Sequence, residues 1–84
     1  MKGSIIFLNL PLGRAAVRTE NGEYTYFEIV DSHEPEFGDI VEGKLENLGS
    51  EHLLNLTQNN RKFNVFIEDI HSSKALAEKF VMRR

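Results

Sequence analysis

Turn-forming residues break this chain about every 8–12 positions, and that punctuation leaves room for strands and little for helices. Leu10-Pro11-Leu12-Gly13 joins a residue with fixed φ to one that tolerates positive φ. Asn21-Gly22 is the strongest hairpin signal present. Gly49-Ser50 and Asn59-Asn60 mark further turns, and Asp31 to Gly38 (DSHEPEFG) reads as a polar loop around Pro35. Six apolar or alternating segments lie between these marks, at 2–9, 14–19, 23–30, 39–45, 52–57 and 62–70. The pattern predicts a mainly β chain folded as a sandwich or small barrel.

The period changes near the end. Ser72-Ser73 can cap a helix, and Lys74 to Met82 consists of good helix formers. Leu76, Ala77, Phe80 and Val81 fall on one helical face, and Arg83 and Arg84 suit the negative end of the helix dipole. Leu76 and Phe80 are too large to leave exposed on a chain of 84 residues. The helix is therefore expected to dock on its own barrel, over an open end or beside the sixth strand. The alternative is a helix that serves a partner or a dimer.

Charge is unevenly spread. Residues 1–60 carry four basic and ten acidic side chains, whereas residues 61–84 carry six basic and three acidic. The acidic body is a poor match for phosphate backbones and the basic tail a better one. The absence of cysteine excludes disulfides and thiolate sites. The apolar run after Lys2 breaks at Asn9, unlike a secretory leader, and no run approaches the roughly 20 apolar residues of a membrane helix. A cytoplasmic chain without membrane contact is expected.

No catalytic or metal-binding pattern stands out. His33, His52 and His71 lack chelating spacing. Glu34, Glu36 and Asp39 lack that of a calcium loop and read as a solvated acidic loop. Ser4, Ser32 and Ser50 sit in no nucleophile-elbow context, and Gly13 is a lone turn glycine. Glu68 and Asp69 read as favouring the helix start. The expectation is a protein with no enzymatic activity, no cofactor and no metal.

Five segments, taken in order, resemble a cold-shock domain, the smallest OB-type barrel. KGSIIFLN is similar to the family's opening strand KGxVKWFN, and GRAAV falls where the family has GFGFI. TYFEI stands at the position of VFVHF, GDIVEGKLE resembles G-x-x-V-x-F-E, and HLLNLT is similar to QAANVT. The likeness spans residues 2–57. It implies one domain over 1–84, a five-stranded antiparallel barrel over 2–57 with an added strand and C-terminal helix over 58–84. It also implies a face where aromatic rings stack on single-stranded bases, each stack contributing roughly 1–3 kcal/mol.

On that face Phe7 stands in place of the family's Trp, and Tyr26 keeps the ring of the second RNA-binding motif. Arg14 and Ala16 replace two Phe, Glu28 replaces a His, and Ile6 and Leu12 replace lysines. Alternation independently places Arg14, Ala16, Arg18, Tyr24, Tyr26 and Glu28 on one side of the second and third strands. An Arg14 or Arg18 pair with Glu28 is expected across the hairpin. Alternation also puts Ile5 and Phe7 on the same side, so an outward Phe7 requires a bulge. The expected nucleic-acid-binding residues are Lys2, Phe7, Arg14, Arg18, Tyr26 and Lys44. Two readings follow: a weak binder of single-stranded RNA or DNA, or an OB-type module repurposed for a protein partner or a homodimer.

Overall fold

The computed structural model describes residues 1–83. Six strands form a closed barrel: β1 (Lys2–Asn9), β2 (Arg14–Thr19), β3 (Tyr24–Ile29), β4 (Ile40–Gly43), β5 (Gly49–Asn55) and β6 (Arg61–Ser72). The order around the barrel is β1-β2-β3-β6-β5-β4, and every neighbouring pair is antiparallel. One helix, α1 (Lys74–Met82), follows. Among the described residues no helix is long and apolar enough to cross a membrane.

The expected strand count of five is corrected to six. The last strand is not an addition beside a finished barrel. It bonds to β3 on one side and β5 on the other, and so closes the ring. Its inward residues Phe63, Val65 and Ile67 are three of the ten buried core residues, with Ile5, Ala15, Val17, Phe27, Val41, Leu45 and Leu53. β5 starts at Gly49, so Gly49-Ser50 belongs to a strand rather than to the expected turn.

The turns follow their chemistry. Asn21-Gly22 lies in a three-residue connection in which Gly22 (φ 79°) donates to Thr19 O and the Thr19 amide donates to Glu23 O. This is a type I turn closed by a left-handed residue, not the two-residue hairpin. Asn59 and Asn60 both have positive φ, 58° and 56°, the conformation that selects Asn in a type I′ turn.

The bulge demanded by the alternation is present. Ile5 pairs with Val17 and Phe7 with Ala16, which leaves Ile6 as the extra residue. Ile5 therefore points into the core while Phe7 turns outward.

Helix α1 starts where Ser73 Oγ accepts from the Leu76 amide, an N-cap bond. It docks on its own barrel but not where expected: it lies across the outside of β1, β2 and β3 rather than over an open end or along β6. Its contact is a second apolar cluster of Ala16, Ala77 and Val81, flanked by Phe7, Tyr24, Tyr26 and Phe80. Leu76 is left half exposed, so the buried helix face is narrower than the sequence implied. Asp69 lies within β6 and accepts from the Tyr26 hydroxyl, so it does not serve the helix start.

Candidate nucleic-acid interface

The outer face of β1–β3 carries the predicted side chains other than Lys44, and α1 crosses it and divides it. The two halves differ in access and in electrostatic character.

One half is covered. The Phe80 ring stacks on Tyr26 with centroids 4.5 Å apart and planes 27° from parallel. The Arg14 guanidinium lies 4.9 Å from the centre of the same Phe80 ring. Its Nη1 donates to the carbonyls of Phe80 and Arg83, each at 3.2 Å. Those carbonyls belong to the helix end that carries partial negative charge, so the contact is favourable. The expected Arg14–Glu28 pair is therefore not formed, although the two residues are opposite in register. Helix carbonyls hold the guanidinium instead. This half is also bordered by acid. Burial and the hydrogen bond to Asp69 push the Tyr26 hydroxyl above its ordinary pKa. Contact with Glu28, together with burial, raises that of Glu68.

The other half is open. A groove of about 570 Å³ at the N-terminal end of α1 is lined by Ile6, Phe7, Arg18, Tyr24, Phe37 and Lys74. Three rings and two cations meet there, and no carboxylate lines the wall. Arg18 faces Tyr24 directly across β2 and β3. A second groove of about 330 Å³ shares Arg18 and includes Lys2.

Phe37 is held out by its loop. The Asp39 amide donates to Glu36 O, and Gly38 has φ 89°. That is the signature of a type II turn, which puts Phe37 at the first central position. Its side chain is 73% exposed. The loop beneath is pinned, because buried Asp39 accepts from Asn55 Nδ2, Gln58 Nε2 and the Glu36 amide, each at 2.8 Å. Burial pushes the Asp39 pKa up, but these donors outweigh it and leave the carboxyl below its ordinary value. His33 contacts Asn55 at 3.1 Å and tilts against Phe63, and burial, then the Arg61 charge, lowers its pKa. Asp39 is thus a buried structural group and not part of a solvated acidic loop.

Of the six expected binding residues, the structure brings Phe7, Arg18 and Lys2 to the open grooves. Arg14 and Tyr26 are engaged by α1. Lys44 lies exposed in the β4–β5 connection and lines neither groove. Sequence reasoning missed Tyr24, Phe37 and Lys74 as site residues. Phe37 had a readable signal, since it is the one large apolar side chain in the polar loop DSHEPEFG. Lys74 had none, because only the docking of α1 carries it to the face.

Glu23, Glu46 and His71 form a separate cluster with ligand atoms within 4.8 Å of one another. Glu23 meets His71 Nδ1 at 2.8 Å, while Glu46 lies 3.8 Å from Nε2. The carboxylates address different ring nitrogens, and only Glu23 is within hydrogen-bond distance, so the geometry is that of a charge cluster rather than a three-point chelate.

No protein-family model, curated protein or solved structure matches the chain.

Proposed function

We propose that this protein is a non-enzymatic OB-type binding module, related to cold-shock domains, that binds single-stranded RNA or DNA weakly through the open half of its aromatic face. The observation that carries this reading is the groove in which Phe7, Tyr24 and Phe37 meet Arg18 and Lys74 with no carboxylate between them. Rings accept any base by stacking, and cations along the same track neutralise phosphates. Affinity is low because Arg14 and Tyr26 are withheld and much of the remaining surface is acidic.

The test is fluorescence anisotropy with a short oligothymidylate at low salt. Tyr24→Ala and Phe37→Ala should each weaken binding by about fivefold or more, the equivalent of one lost stack. His52→Ala should have no effect, because β5 stands opposite β2 in the closed ring. Equal affinities for all three variants would reject the groove. The second reading is a protein-interaction or homodimer module without nucleic-acid binding. It is favoured by the covering of Arg14 and Tyr26, and it predicts no oligonucleotide binding by the parent protein.

A further inference from the structure

The C-terminal turn of α1 presents the barrel with the parts of a nucleotide. It offers a flat ring, Phe80, stacked on Tyr26 at 4.5 Å. It offers electron-rich oxygens, the carbonyls of Phe80 and Arg83, to the Arg14 guanidinium. A base and a phosphate would use the same two barrel side chains in the same way. The substitution is imperfect. Arg14 Nε is buried and has no hydrogen-bond partner among the described residues, because both carbonyls are taken by Nη1. A phosphate has enough oxygens to satisfy both edges of the guanidinium fork.

At this end the helix is held by Val81, whose carbonyl also accepts from Asn9 Nδ2 at 3.0 Å, and its larger side chains are only partly covered. Its fully buried residues are the small side chains Ala77 and Val81, while Leu76 and Met82 are each 51% exposed. An open pocket of about 430 Å³ already lies beside Phe80 and Tyr26, with Arg14, Lys79 and Arg83 in its wall.

We propose that the last turn of α1 is an internal ligand, occupying a base-and-phosphate subsite on Tyr26 and Arg14 that a single strand takes over when Phe80 withdraws. The proposal rests on the reading that the open groove binds single strands and extends it. The groove at Tyr24 captures the strand, and displacement of Phe80 lengthens the bound segment across the barrel. Register supports the continuity, since Tyr24 and Tyr26 are alternate residues of β3 on the same face.

The decisive variant is Phe80→Ala in the full chain. It removes the competing ring and leaves Ala77 and Val81 to hold the helix in place. Binding of oligothymidylate should tighten by about fivefold or more, one additional stack. Adding Tyr26→Ala should return affinity to the parent value. If the parent binds through Tyr24 and Phe37 but Phe80→Ala is unchanged, the internal-ligand proposal is wrong and the open-groove reading stands. If the parent does not bind and Phe80→Ala does, the proposal stands and the open-groove reading falls. Binding by neither overturns both.

Discussion

Ala16 has no accessible surface, and the reason is α1. The cold-shock domains that the sequence resembles have a ring at this position, but the structure gives one no room. Ala16→Phe should therefore overpack the helix interface and destabilise the fold by about 1–3 kcal/mol in denaturant unfolding. Gly43 is constrained in a different way. An added Cβ would meet Leu53 Cδ2 at 2.7 Å and the backbone oxygen of His52 at 2.8 Å. A side-chain methyl can yield, whereas a strand carbonyl cannot without loss of pairing. Gly43→Ala is expected to destabilise by a similar ~1–3 kcal/mol. Two histidines act with opposite sign. The hydrogen bond that His71 donates to Glu23, and then the Glu23 charge, raises the His71 pKa. Its stabilisation is full below the unfolded value of about 6.5 and fades as pH rises through the higher folded value. The His33 pKa is lowered by burial, so its contribution is present above about 6.5 and fades as pH falls through the lower folded value. In His71→Gln the contribution that fades with rising pH is removed while that of His33 stays, and the melting temperature should rise with pH from 5 to 7 more steeply than in the parent. An unchanged profile would show that the Glu23–His71 contact contributes nothing.

At the scale of elements, most of the fold was legible because local chemistry and tertiary context agree. Ser73 caps the helix at the predicted place, and Lys74–Met82 matches the periodic stretch to the residue. The Ile6 bulge was legible as a conflict: the resemblance asked for an outward Phe7 and alternation forbade it, so an extra residue had to intervene. What the sequence did not show was where elements meet. The strand periodicity of β6 is the same for an added edge strand and for one that closes a barrel. The apolar stripe of α1 names residues that need cover, but not which surface covers them. Ala16 was the missing clue, since a small residue on an outer face admits a helix backbone. Arg14 and Tyr26 were misread as free for the same reason: their partners, Phe80 and Arg83, are more than fifty residues away in sequence. Docking on the same chain carries its own prediction. Val81→Ala removes fully buried volume and should destabilise by about 2 kcal/mol. The loss should not vary with protein concentration. A concentration-dependent loss, with dissociation seen by sedimentation, would assign the helix to a dimer interface instead.

For the whole molecule, the net charge is −3, and the proposed single-strand binding depends on where the charges are placed. Arg18 and Lys74 stand together in the open groove, while Glu28, Glu68 and Asp69 gather around the half that α1 covers. Two phosphate contacts predict a shallow salt dependence, with log K falling by roughly 1.4 per tenfold increase in salt. A slope near zero would remove electrostatics from the binding. The most direct measurement is an NMR titration of the full chain with a short oligothymidylate at low salt. Progressive shifts should appear at Phe7, Arg18, Tyr24, Phe37 and Lys74, with His52 and Asn64 on the far side unmoved. An absence of shifts in the groove, or shifts spread evenly over the barrel, would contradict single-strand binding at this face.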